Sequence, residues 1–531
     1  MSTEAATGGL GGPAQRIAAG YSVAGQALEL GTVVVDGDAD PSAQIRIPLA
    51  TVNRHGLVAG ATGTGKTKTL QLIAEQLSAA GVAVLMADVK GDLSGLSRAG
   101  EADDKAAARA KDTGDNWTPT AFPVEFLSLG TSGVGVPVRA TISSFGPILL
   151  SKVLALNATQ ESTLGLIFHW ADQRGLPLLD LKDLRTVISH LTSDQGKAEL
   201  KALGAVSPTT AGVILRALVN LEAEGADTFF GEPELRPDDL IRVDSQGRGI
   251  ISLLEFSGQS LRPVLFSTFL MWVLADLFTY LPEVGDLDKP KLVFFFDEAH
   301  LLFTDASKAF LEQVEQTVKL IRSKGVGVFF CTQLPTDLPN TVLSQLGARI
   351  QHALRAFTPD DQKALSKTVR TYPKTDVYDL QSALTSLGIG EAVVTVLSEK
   401  GAPTPVAWTR MRVPRSLMGA IGTDAVAAAA LSSPLQAVYG QTVDRVSAHE
   451  MLSTTYAPAE APPPVQPPRG QYDPLPWPDE IQVPPMPAPV EPKGPGMWEE
   501  ILKNPTVKSA INTGVREITR SIFGTGRRRR K

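Results

Sequence analysis

A chain of 531 residues, 43% hydrophobic and 20% charged, has room for a large buried core and more than one structural unit, as soluble globular proteins do. A formal net charge of −6 excludes a surface that is basic throughout, so a nucleic-acid partner needs a local basic patch. A single cysteine, Cys331, excludes an intrachain disulfide and fits a reducing compartment; lying in an apolar run without an activating neighbour, it reads as a core thiol.

Residues 1–16 are small, polar and glycine-rich, a flexible start with no basic-then-apolar leader. Short strands are expected at 27–35 and 44–48 around an Asp/Gly turn at 36–40. The apolar run 56–59 then leads into Gly60-Ala61-Thr62-Gly63-Thr64-Gly65-Lys66-Thr67 and a helical segment over 66–80. This fits G-x-x-x-x-G-K-[ST] in the strand–loop–helix setting that a phosphate cradle requires. Glycines let successive N–H groups turn inward, and the helix presents its positive end to the phosphates. Residues 60–65 would supply that cradle, Lys66 would reach the β- and γ-phosphates, and the Thr67 hydroxyl would hold Mg²⁺, with Thr69 one step further along the helix. The segment is a nucleoside triphosphate site.

A buried strand follows at 82–90, ending in Asp88 and Asp92, which read equally as groups near the metal or as an ordinary Asp/Gly turn. An exposed helix is expected at 101–110, and 141–230 carries helical periodicity, the main part of a helical subdomain inserted over 141–245. A strand resumes at 249–255 and a long helix at 263–280. The apolar stretch 264–278 contains Asp276 and is shorter than a bilayer span, so it reads as a buried helix and no integral membrane segment is expected.

Residues 291–300 read Lys-Leu-Val-Phe-Phe-Phe-Asp-Glu-Ala-His. Five apolar residues in a row suit a strand buried on both faces of a parallel sheet. Ligands bind beyond the carboxyl ends of such strands, so Asp297 would anchor Mg²⁺ and Glu298 would polarise the attacking water. A second buried strand ends at Gln333, whose amide would contact the γ-phosphate region and the water. Further on, 337–346 reads as a helix, 348–355 as a strand, 359–370 and 376–386 as helices, and 391–397 as a strand. The tract 457–495 holds 15 of the 38 prolines, which makes 456–496 a disordered linker or docking segment for a protein partner. Residues 497–531 form an amphipathic helix with a basic tail, for which a solvated tail, nucleic acid and an anionic membrane are alternative readings.

The order Gly-Ala-Thr-Gly-Thr-Gly-Lys-Thr, Phe-Phe-Asp-Glu-Ala-His, Arg-Ser-Lys-Gly-Val-Gly and Cys-Thr-Gln resembles the HerA/FtsK superfamily of ring-forming ATPases, closest to a bacterial HerA-like branch. The resemblance covers about 50–455, with similar stretches at 53–67, 86–93, 185–191, 229–233, 290–303 and 349–363. It implies that Lys66 and Thr67 are the Walker A pair, Asp297 and Glu298 the Walker B pair, and Gln333 the sensor. It also implies an arginine finger at Arg322, which stands 11 residues before Gln333 and would reach a neighbouring subunit's ATP, with Arg349 and Arg355 as runners-up. Adenine preference, a homo-oligomer (a hexamer) and DNA as substrate are likewise implied by the resemblance alone. The roughly 50 residues before the P-loop are too few for the N-terminal β-barrel that HerA itself carries.

The resulting expectation is an α/β protein with a RecA-like P-loop core and a mostly parallel sheet, divided as 17–140 and 246–455 around the helical insertion. Its activity is Mg²⁺-dependent ATP hydrolysis in the cytoplasm, coupled to DNA translocation or processing. The alternative is a slow nucleotide-dependent switch or scaffold acting on protein partners.

Overall fold

The computed structural model describes residues 12–455 except 89–90, 132, 203–206, 256–262 and 286. The proline-rich tract 456–496 and the terminal segment 497–531 lie outside the described residues. The strands are β1 (Ala27–Val35), β2 (Asp38–Pro48), β3 (Gly56–Ala59), β4 (Ala83–Asp88), β5 (Val124–Leu129), β6 (Val136–Val138), β7 (Ile251–Glu255), β8 (Leu292–Phe296), β9 (Val326–Thr332), β10 (Ala348–Gln351), β11 (Glu391–Thr395) and β12 (Ala407–Met411). They form one sheet in the order β2-β1-β12-β11-β10-β3-β9-β8-β4-β7-β5-β6. From β10 to β6 every neighbouring pair is parallel; from β10 outward through β11, β12, β1 and β2 every pair is antiparallel. The α/β class is as the sequence implies.

Why the central strands are continuously apolar is visible in their alternation. Side chains of a strand point to opposite faces in turn. Phe294 and Phe296 of β8, with Val328 and Phe330 of β9, join Leu57, Leu85 and Leu127 in the core on one face. Val293 and Phe295, with Phe329 and Cys331, join Val58, Val84 and Leu253 in the core on the other. Each fully buried phenylalanine contributes about 1.5–3 kcal/mol relative to exposure. Helices Ile142–Val153, Ala158–Gln173, Leu181–Thr192, Pro208–Ala223 and Pro263–Tyr280 cover the first face. Helix Lys66–Ala79 covers the second through Leu70, Ile73, Ala74 and Leu77. Helix Pro263–Tyr280 carries buried Leu265, Phe269, Trp272 and Leu277, and among the described residues no helix is long and apolar enough to cross a membrane.

The structure differs from the sequence expectations in several places: the strand expected over 44–48 already begins at Asp38, and the helix expected over 376–386 begins at Leu380. The helix expected over 337–346 is two short pieces, Pro335–Asp337 and Asn340–Leu343, because Pro339 lacks the N–H that a continuous helix would use. The strand expected over 348–355 stops at Gln351, where the chain turns across the P-loop. The strand expected over 391–397 stops at Thr395. Strands β5, β6 and β12 were not anticipated, and β12 is what joins the N-terminal hairpin β1–β2 to the rest of the sheet.

Candidate active site

Register fixes the site. Ala59, the last residue of β3, pairs with Thr332 of β9, and Phe330 of β9 pairs with Phe296 of β8. The P-loop, Gln333 and the Asp297–Glu298 pair therefore leave the sheet at the same edge, on three consecutive strands. Two interstrand steps place β3 and β8 about 10 Å apart, close enough for one polyphosphate and its metal to lie between them. Asp88 at the end of β4 and Glu255 at the end of β7 pair with each other in the next two strands along the same edge.

Gly60, Gly63 and Gly65 have φ of 151°, 80° and 114°. Gly60 has a second reason to lack a side chain, because a Cβ there would stand 2.6 Å from the Cβ of His352. Around Gly63 nothing would lie within 4 Å, so the tip of the cradle is open to a ligand. Thr62 is exposed, and Thr64 is buried with its hydroxyl donating to Ala61 O at 2.7 Å. Lys66 Nζ donates to Gly60 O at 2.6 Å and to Ala61 O at 3.1 Å, folded over its own loop. Thr67 is half-buried at the start of the helix. Thr69 is buried with its hydroxyl 2.9 Å from His352 Nε2, so it braces the loop from beneath.

Glu298 adopts φ of 48°, a left-handed conformation uncommon for a side-chain-bearing residue and costing about 1 kcal/mol or more. Asp297 Oδ1 accepts from the Glu298 N–H at 3.0 Å, and Glu298 Oε2 lies 3.4 Å from His300 Nδ1. Between β3 and β8, the buried Cys331 thiol is held well above its usual pKa by burial, then by the charge of Asp297, with Lys66 acting in the opposite sense. It is a core thiol that lies within the electrostatic reach of both Lys66 and Asp297. Gln333 is exposed just past β9.

Thr67 and Asp297 suit Mg²⁺ as donors, since that ion keeps several waters and binds through one or two carboxylates together with substrate phosphates.

Arg322 stands elsewhere. It precedes β9, whereas the P-loop follows β3, which runs parallel to β9, so the two lie at opposite edges of the sheet. Seven residues of β9 separate the edges by roughly 20 Å. Arg322 lines a cleft of about 440 Å³ together with Arg54, Lys319 and Arg349, and no carboxylate lines it. Arg349 Nη1 donates to Thr371 O at 3.0 Å. Arg355 remains at the P-loop edge, with Nη2 3.5 Å from Thr62 O.

Two supports of the P-loop carry no motif. His352 sits beneath it, its pKa pushed down to about 4 by burial. Gly390, in the turn before β11, donates its N–H to Thr64 O at 3.0 Å, and Arg109 Nη1 in turn donates to Gly390 O at 3.2 Å. The Leu-Gly-Ile-Gly sequence at 387–390 signals a turn, but nothing local to it says that the turn meets residue 64.

The family model described as helicase HerA-like C-terminal matches residues 34–530. The chain belongs to that family. A protein of Methanocaldococcus jannaschii described as a probable helicase is 34% identical over 116 residues, which span 21% of this chain and 20% of that relative. The plasmid coupling protein TrwB, solved with a non-hydrolysable ATP analogue, superposes with a TM-score of 0.50 at 17% identity, covering 77% of this chain and 95% of TrwB. VirB4 of Thermoanaerobacter pseudethanolicus aligns over 74% of this chain and 97% of its own, at 15% identity and a TM-score of 0.44. The TrwB likeness establishes a shared fold.

Proposed function

We propose that this HerA-like chain hydrolyses ATP with Mg²⁺ and couples turnover to translocation or processing of DNA within a homo-oligomeric ring. The observation that carries the reading is the emergence of the P-loop, Gln333 and Asp297–Glu298 on three consecutive strands at one sheet edge. The N–H groups of residues 60–65 cradle the phosphates, and Lys66 exchanges its two loop carbonyls for phosphate oxygens. Thr67 and Asp297 would hold Mg²⁺, which would supply neutralising charge beside the phosphates. Glu298, which follows Asp297 in a left-handed backbone conformation, orients the attacking water and accepts its proton. Gln333 reads the γ-phosphate. Arg322, at the far edge, serves the nucleotide of a neighbouring subunit.

DNA as the polymer rests on the family's helicase description and on the probable helicase relative. The decisive experiment is steady-state ATP hydrolysis with and without double-stranded DNA, using Glu298→Gln as background. Stimulation by DNA that the substitution abolishes is the expected result. Slow turnover that needs Glu298 and ignores DNA would overturn the translocase reading in favour of a nucleotide switch acting on protein partners.

A further inference from the structure

The two most exposed large hydrophobic side chains among the described residues are Phe357, 86% exposed, and Ile389, 77% exposed. Exposure of single apolar residues is ordinary, but these two share a location. Phe357 ends the segment that follows β10, and Ile389 lies in the turn that precedes β11. Since β10 and β11 are antiparallel neighbours, with Gln351 opposite Val393, both segments stand at the P-loop edge of the sheet.

Each segment is tied to the phosphate loop by hydrogen bonds. Ala61 N donates to Ala353 O at 2.9 Å, and Arg355 Nη2 approaches Thr62 O at 3.5 Å. On the other side, Gly390 N donates to Thr64 O at 3.0 Å, while Arg109 donates to both Ile389 O and Gly390 O at 3.2 Å. Four residues of extended chain from Ala353 bring Phe357 within about 14 Å of that anchor, the scale of a nucleoside beyond its phosphates. The flank is also the correct one. Asp297 and Glu298 lie on the β9–β8 side of the P-loop, which leaves the β10–β11 side for a nucleoside.

We propose that Phe357 and Ile389 are the two walls of the nucleobase slot, Phe357 stacking on the planar ring and Ile389 packing against the base from the pinned 389–390 turn. The slot rests on the assignment of the P-loop as a nucleoside triphosphate site. Both side chains are exposed, so replacing either leaves the core and the phosphate cradle in place.

The test is calorimetric titration of the full chain with Mg²⁺ and two probes, a non-hydrolysable ATP analogue and inorganic tripolyphosphate, which has no base. Phe357→Ala is expected to weaken the analogue about 10- to 100-fold, leave tripolyphosphate unchanged, and be rescued by Phe357→Trp. Ile389→Ala should act in the same direction with a smaller effect. Wild-type affinity for the analogue in both alanine variants overturns the slot, as does a wild type that binds both probes equally tightly. A change of oligomeric state in Phe357→Ala at constant nucleotide affinity also overturns it, because the patch then covers a second copy. A wild type that binds neither probe overturns the P-loop assignment itself.

Discussion

His352 Nε2 meets Thr69 Oγ1 at 2.9 Å beneath the P-loop, joining the end of β10 to the helix that follows the phosphate cradle. Burial pushes the pKa of His352 down to about 4, so the ring is neutral at neutral pH. An unfolded histidine takes up a proton as pH falls through about 6.5. The folded protein does not follow until about pH 4. The contribution of His352 to stability is therefore complete above the unfolded value and is lost as pH falls from 6.5 toward 4, by up to about 3 kcal/mol. Urea unfolding of wild type and His352→Gln should show a stability gap that narrows between pH 7.5 and pH 5. A gap independent of pH would mean that this ring is not held neutral by its surroundings.

Glu255, opposite Asp88 at the same sheet edge, carries the opposite sign. Burial, then the charge of Asp88, raises its carboxyl to about 7. An acid raised in the folded state costs stability once the unfolded form ionises, so the cost grows as pH rises from about 4.5 to 7 and is constant above. Glu255→Gln should be close to neutral at pH 5 and stabilise by about 1–3 kcal/mol at pH 8. Equal effects at both values would show that Glu255 is charged and compensated in the native state.

Gly60 and Gly63 separate two reasons for glycine in one loop. Both have positive φ, but a Cβ at Gly60 would also press on His352 at 2.6 Å, whereas one at Gly63 meets nothing within 4 Å. Gly63→Ala should cost about 1 kcal/mol of backbone strain. Gly60→Ala adds a collision with the Cβ and backbone of His352 and should cost more, displacing the loop and weakening nucleotide binding at least about tenfold. Thermal melts and nucleotide titrations of the pair would test this; equal losses in the two variants would remove His352 from the argument.

How much of this was legible beforehand follows from how locally each feature is encoded. The P-loop, β8 and β9 are written in single uninterrupted runs of residues, and the shortness and aromatic and β-branched content of the apolar runs mark them as buried strands rather than helices. β12 is harder to see, since Trp408 and Arg410 alternate with buried Ala407, Thr409 and Met411, and its partners in β1 are nearly 400 residues away. β6 is three residues with Pro137 in the middle, too little for any periodicity. The roles of His352, Gly390 and Arg109 are wholly tertiary, because each acts on a loop distant in sequence. Asp297 and Glu298 announce themselves by following a strand, but the residues that support the P-loop from distant parts of the chain do not.

Arg322 tests the ring directly. Its α-carbon and the P-loop stand at opposite edges of the sheet, separated by the seven residues of β9, and an arginine side chain spans only about a third of that distance. Arg322 therefore cannot touch the nucleotide of its own subunit, and if it contributes to turnover it does so in a neighbour. Arg349 in the same cleft already donates to Thr371 O and Leu343 O, so its removal should lower stability more than turnover. Arg322→Ala should leave nucleotide affinity intact and reduce kcat by about 10³- to 10⁵-fold. Mixing it with Lys66→Ala, itself inactive, should restore measurable hydrolysis, because some interfaces then pair an intact P-loop with an intact Arg322. Wild-type kcat in Arg322→Ala alone would remove Arg322 from turnover and return Arg355, 3.5 Å from Thr62 O, as the arginine that acts within its own chain.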